Sequence, residues 1–269
     1  MISLAQLLNE VQGASKAVIL AGAPGAGKSS IVGDIISGLG LKVLNIDDHF
    51  IKNLKDADVS LDLKRADAEG RSKAAKAMQA AQKSYKDELE DEITQKGNIV
   101  IDGTAASYKK TKELKETLEA NGYQVFMVYV YSSLKKSLKK NEDRFERSKG
   151  EDRSLMPAIV MTTWGNVTKN FEPYKDLFGG NFVATTKDKK LSDSQDLDDI
   201  IDKYITPFRP TDTKPKTDKE MARSKARKEK ERAEIEKLMS KSNLDNVLPF
   251  IVTPEEAQQK LKQFLAWTN

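Results

Sequence analysis

Gly22-Ala23-Pro24-Gly25-Ala26-Gly27-Lys28-Ser29 is the stretch from which the rest of the chain is read. It fits G-x-x-x-x-G-K-[ST], and its flanks suit that pattern. The apolar run Lys16–Ala21 before it predicts a buried strand. A helix is predicted from Lys28 to about Leu39, stopped by Gly38 and Gly40. Three glycines let the backbone curl so that its N–H groups point inward, and the helix N-terminus adds partial positive charge. Such a cradle holds phosphate oxygens. Lys28 can reach the outer phosphates of a nucleoside triphosphate, and Ser29 can ligate Mg²⁺. The expected nucleotide site therefore comprises Gly22, Ala23, Pro24, Gly25, Ala26, Gly27, Lys28, Ser29 and the adjoining Ser30.

Outward from the loop, strands alternate with helices. Further strands are predicted over residues 41–46, 98–102, 123–131 and 181–185, and helices over 63–95, 109–121, 133–147, 155–171 and 197–205. Gly122 is expected to stop one helix, and Pro157 to sit in the first turn of another. This order implies an α/β fold: a five-stranded, mostly parallel sheet with helices on both faces. Ligands in such sheets sit beyond the carboxyl ends of the strands. Two carboxylate-bearing stretches lie at that edge. Asn45-Ile46-Asp47-Asp48-His49-Phe50 is expected to end the second strand, and Asp102-Gly103-Thr104 the third. A carboxylate beside the loop can take a proton from an attacking hydroxyl. After the fourth strand, Arg144 and Arg147 stand three apart on one helix face, with Lys149 and Arg153 beyond them. They would supply positive charge to a migrating phosphoryl group.

In this order the motifs resemble the kinase branch of phosphate-loop proteins, specifically the zeta toxin and polynucleotide kinase group. The resemblance runs from about Ala17 to Leu177 and adds the stretch opened by Met156-Pro157 to the motifs above. It implies a phosphate-loop kinase fold and an ATP-dependent enzyme. The γ-phosphoryl group would pass to a hydroxyl of a nucleotide sugar, nucleoside or nucleic-acid 5′ end. Lys28 and Ser29 would hold ATP and Mg²⁺, and an Asp of NIDDHF would be the general base. The zeta-type D-x-F selects Asp48, the preferred choice, whereas the D-D pair of polynucleotide kinases selects Asp47. Asp102 and Thr104 would touch the acceptor, and Arg144, Arg147 and Arg153 would be lid arginines. The arginine that follows the D-D pair in polynucleotide kinases is replaced here by Phe50, Ile51 and Lys52, leaving Lys52 or Lys55 as stand-ins.

Composition excludes other chemistries. Cysteine is absent and His49 is the one histidine, which rules out thiol catalysis, disulfides and multi-histidine metal sites. No apolar run reaches the roughly 18 residues of a membrane span, and the N-terminal stretch is no secretory signal. A soluble, cytoplasmic protein with no membrane partner is expected. Ile2, Leu4, Leu7, Leu8 and Val11 suit a short amphipathic helix.

Charge divides the chain. Residues 206–243 carry 12 basic against 7 acidic side chains, and the rest is close to neutral. The predicted organisation is a kinase domain over 1–205, a charged linker and helix over 206–243, and an amphipathic helical segment over 244–269. In that last segment Leu261, Phe264 and Leu265 form an apolar face. Either the body or another protein must cover it, and the polar linker favours a partner. A second reading follows: a nucleotide-binding assembly or scaffold protein that docks through its tail.

Overall fold

A computed structural model describes residues 14–31, 33, 41–63, 66–149, 152–187, 200, 203–204, 217–240 and 247–266. The expected N-terminal helix, the helix stop at Gly38 and Gly40, most of 197–205 and the proline-punctuated linker lie outside these residues.

Among the described residues six strands make one sheet: β1 (Lys16–Ala21), β2 (Lys42–Leu44), β3 (Ile99–Asp102), β4 (Gln124–Tyr131), β5 (Phe182–Thr186) and β6 (Ile251–Val252). Their order is β2-β3-β1-β4-β5-β6, and every pair is parallel. β1 lies between β3 and β4 and is buried along its whole length, which explains its continuous apolar run. Besides the helix that Lys28 opens, the described residues include α1 (Ile46–Asp56), α2 (Ala68–Gln95), α3 (Tyr108–Ala120), α4 (Leu134–Arg147), α5 (Pro157–Lys169), α6 (Phe171–Phe178), α7 (Asp218–Ser240) and α8 (Pro254–Ala266).

Side-chain alternation along the strands assigns two cores. Ala17, Ile19, Ala21, Met127 and Tyr129 share one face with Leu118 of α3 and with Phe171, Tyr174 and Phe178 of α6. Val18, Leu20, Phe126, Val128 and Val130 face the other way, onto Ile31 of the helix after the phosphate loop and onto Ala257 and Leu261 of α8.

Several expectations are corrected. The sheet has six strands, not five. The sixth is only two residues long, and it is held by its ladder to β5 and by Thr185 Oγ1, which donates to the Val252 carbonyl at 2.9 Å. A strand so short leaves no periodic signal. The second strand ends at Leu44 rather than running to Ile46, because Asn45 accepts a hydrogen bond from the Asp47 amide at 2.9 Å and starts α1. Asp47 and Asp48 thus lie in a helix's first turn. The helix expected over 63–95 begins at Ala68, capped by Asp67, and the one expected over 155–171 breaks at Asn170 into α5 and α6. Pro157 does open α5.

The terminal apolar face, expected to favour a partner, is covered by the chain's own sheet. Thr253 and Glu256 exchange bonds of 2.9 and 3.2 Å between side chains and amides, a capping box that fixes the start of α8. Phe264 packs on Phe126 with ring centroids 4.9 Å apart, and the buried Lys16 ammonium lies 4.7 Å above the Phe264 ring. Gln258 Nε2 donates to the Ile31 carbonyl at 2.7 Å. The charged helix α7 is also anchored on the body. Its Ile235 is fully buried among Leu134, Leu138, Val160 and Trp164. Among the described residues no helix is long and apolar enough to cross a membrane.

Candidate active site

The phosphate loop leaves β1 at Gly22 with a positive φ of 154°, and a Cβ there would lie 2.6 Å from the Val130 carbonyl oxygen of β4. Only glycine permits that approach. The Gly22 amide donates to the Thr104 carbonyl at 3.1 Å, tying the loop to the end of β3. Lys28 opens the following helix. Its ammonium donates to the loop carbonyls of Gly22 at 3.0 Å and Ala23 at 3.4 Å. Burial pulls the Lys28 pKa down; Asp102 and Asp47 pull it up, and Arg144 adds a smaller downward push.

Asp102, at the tip of β3, accepts from Ser29 Oγ at 3.2 Å and from Asn45 Nδ2 at 3.4 Å, both on the same carboxylate oxygen. A serine hydroxyl and a carboxylate this close are hard oxygen donors. They match the way Mg²⁺ is commonly held: one or two protein oxygens, with phosphate and water completing the shell.

A cavity of about 810 Å³ opens beside the loop. Lys28, Ser29, Ser30, Asp47, Asp102, Thr104, Arg144, Arg147 and Arg153 all line it, as do Pro24, Gly25 and Gly27 of the loop. Ala23 and Ala26 are buried beneath it in the core. Asp48 is not among the lining residues. It is exposed and borders a separate hollow with Ile51, Lys52, Lys55 and Asp56. Burial, then the nearby Asp47 and Asp102, push the Asp48 pKa up, partly offset by His49. Lys52 and Lys55 lie in that same hollow, away from the phosphate loop.

The arginines differ from one another. Arg147 is exposed and donates to the Asp143 carbonyl at 3.1 Å. Arg144 is paired with Asp152, and Arg153 with Asp47. Arg153 is only 6% exposed, and its guanidinium lies 5.3 Å from the centre of the Phe50 ring. Its Nε is buried with no hydrogen-bond partner.

Sequence reasoning missed Asn45, whose side chain both caps α1 and contacts Asp102. It also missed Arg71 of α2 and Lys140 of α4, two further cations on the cavity wall. Lys140 stands over the loop, its Cβ 3.0 Å from where a Cβ on Gly25 would fall. Its place one turn before Arg144 was the available signal.

The family model described as Zeta toxin matches residues 5–190. No curated protein matches the chain. Among solved structures it is similar to one from the PezAT chromosomal toxin–antitoxin system of Streptococcus pneumoniae, at 15% identity and a TM-score of 0.44, covering 70% of this chain and 76% of that one. It is also similar to a chain of the Pnkp1/Rnl/Hen1 RNA repair complex (16% identity, TM-score 0.43, 62% of this chain and 48% of that one). A third is deoxyadenosine kinase from M. mycoides (15% identity, TM-score 0.38, 63% and 89%).

Proposed function

The chain belongs to the zeta toxin family and is a P-loop phosphotransferase, and from that premise we propose that it moves the γ-phosphoryl group of ATP to a hydroxyl of a nucleotide sugar, nucleoside or nucleic-acid 5′ end. One observation carries the reading. Lys28, the Ser29–Asp102 pair and the Asp47–Arg153 pair all line a single cavity.

In this reading the loop amides and Lys28 hold the triphosphate. Ser29 and Asp102 hold Mg²⁺, which would neutralise charge on the phosphate oxygens when bound. Asp102 thereby gains a metal-holding role in place of the acceptor contact expected for it. Asp47 is assigned as base because it lines the cavity and Asp48 does not. It orients the acceptor hydroxyl and takes its proton as the new O–P bond forms and the bond to the departing diphosphate breaks. Arg153 and Arg144 place positive charge over the moving group, and Arg147 at the rim helps to exclude water. Leu63, Ala74, Met78 and Ile159 give the cavity an apolar side suited to the rings of an acceptor.

The scaffold reading drew on the basic linker and the terminal apolar helix, and the apolar face of that helix packs on the chain's own sheet. ADP release from ATP and Mg²⁺ should rise when the right hydroxyl is added. Nucleotide sugars, nucleosides and oligonucleotides with free 5′ hydroxyls are the three probes. A phosphorylated product from one class identifies the acceptor; tight ATP binding with no ADP formed, with or without acceptor, removes the kinase reading.

A further inference from the structure

The two residues that follow Arg153 are tied to two different parts of the chain by bonds that their sequence neighbourhood does not suggest. On one side, the next residue, Ser154, forms a parallel bridge with Asp62 in the connection between α1 and α2. The Ser154 amide donates to the Leu61 carbonyl at 3.0 Å, and Ser154 Oγ donates to Asp62 Oδ1 at 2.8 Å. On the other side, Asn141 of α4 clamps Leu155. Its Nδ2 donates to the Leu155 carbonyl at 2.9 Å, and its Oδ1 accepts from the Leu155 amide at 3.0 Å. Ser154 is fully buried and Asn141 is 4% exposed. Four hydrogen bonds therefore fix the two residues that follow Arg153, although Asp62 lies 92 residues away from Ser154 in sequence.

So much local order is unnecessary for a lid arginine that swings freely. It suits a guanidinium that has to be held at one place. The buried Nε of Arg153 has no hydrogen-bond partner. Orphaned buried donors are rare and costly. Arg153 lines the cavity, and a guanidinium held there is a suitable donor to an anionic phosphoryl oxygen.

Resting on the phosphotransferase reading above, we propose that Asp62 and Asn141 are positioning residues: through Ser154 and Leu155 they fix Arg153 where it meets the transferred phosphoryl group. Neither touches that group. Asp62 borders a different hollow from the cavity, with Ser60, Asp67 and Lys73. The Asp62 bridge joins the segment leading into α2, whose residues line the acceptor side, to the arginine that serves the phosphate side. Misplacing a catalytic group by about 1 Å costs on the order of a hundredfold in rate. Loss of one anchor should cost about tenfold, because the other remains.

The test compares Asp62→Ala with Asp62→Asn, which keeps the oxygen that accepts from Ser154. The full chain is given ATP and Mg²⁺ with water as the acceptor, so that the rate does not depend on acceptor fit. Asp62→Ala should lower kcat for ADP release about tenfold, with the KM for ATP within about twofold, and Asp62→Asn should restore most of the rate. Hydrogen exchange supplies a second readout: the Ser154 and Leu155 amides should be protected in the wild type and lose protection in Asp62→Ala. Asn141→Ala should repeat the kcat loss by way of the Leu155 amide. If the wild type releases ADP and Asp62→Ala does so at the same kcat, the positioning role is overturned while the phosphotransferase reading stands. If the amides are unprotected in the wild type, the latch is overturned directly. A wild type that releases ADP only with one of the three acceptor classes is compared with the variants on that acceptor, under the same criteria; one that binds ATP but releases no ADP with water or with any of them overturns the phosphotransferase reading, and the positioning role with it.

Discussion

The phosphate loop and the arginine segment face the same cavity but are made in different ways. The loop gets its shape from backbone: Gly22 passes under the Val130 carbonyl, its amide bonds to Thr104, and the helix starts at Lys28. Eight consecutive residues carry the whole instruction. The arginine segment gets its shape from side chains that reach across the sequence. Arg153 depends on Asp47, Phe50, Asp62 and Asn141, contributed by α1, the connection after it, and α4. A substitution in the loop should therefore act locally and severely. A substitution around Arg153 should be graded, because several weak supports share the task.

Lys28→Ala tests the first half of that contrast and should have the largest effect. Turnover should fall at least about a hundredfold, the scale for removing a charge that stabilises the transition state. The fold should persist, since the ammonium bonds only to two loop carbonyls that water can also satisfy. ADP release and a melting curve, measured on the same preparation, check both halves. Unchanged turnover in a folded variant would remove the kinase reading.

Gly22→Ala asks whether the loop's backbone path is as demanding as its geometry indicates. The new Cβ would meet the Val130 oxygen at 2.6 Å, with both partners in backbone that cannot swing aside. Overpacking of this kind costs about 1–3 kcal/mol. The expected result is a lower melting temperature together with weaker ATP binding, read by thermal shift with and without nucleotide. A variant that melts and binds like the wild type would show that β4 yields easily there.

Arg153→Lys probes the second region more gently. The charge is kept, but the planar guanidinium that donates to Asp47 and lies over Phe50 is lost. A reduction of about tenfold in kcat is expected, with ATP affinity little changed. If this conservative change proved as damaging as Lys28→Ala, the graded picture of the arginine segment would fail.

The same division explains what could be read from sequence. The parallel sheet, the loop and the helix opened by Pro157 were legible because each is a local signal: an apolar run, a fixed spacing, a proline. The start of α1 at Ile46 was not, since it turns on whether Asn45 continues a strand or caps a helix, and both residues after it suit either. β6 was not legible because two residues carry no period. The cover provided by α8 was missed for a related reason. Leu261, Phe264 and Leu265 announce an apolar face without naming what it meets, and here it meets Phe126 on the sheet. Removing residues 244–269 would expose Val18, Leu20 and Phe126, so the body is not expected to be well behaved without them. The family match ends at residue 190, before any of this cover.

Asp48 gives the smallest expected effect and the sharpest discrimination, because it sits beside Asp47 in sequence yet borders a different hollow. Burial, Asp47 and Asp102 raise its pKa in the folded state above the ordinary value. A carboxyl with a raised folded pKa contributes its stability below the unfolded pKa, about 3.9, and loses it as pH rises through the folded value. At pH 7 the ionised Asp48 therefore opposes folding slightly, and Asp48→Asn should melt higher than the wild type. The gain should be under about 3 °C, since the side chain is exposed and solvent screens its neighbours. It should shrink as the pH is lowered toward about 3.9, where the wild-type carboxyl takes up its proton. Turnover should be nearly unchanged in Asp48→Asn and lost in Asp47→Asn, with ATP affinity kept in both. The reverse pattern would return the base to Asp48 and require α1 to rotate its first turn toward the cavity when the acceptor binds.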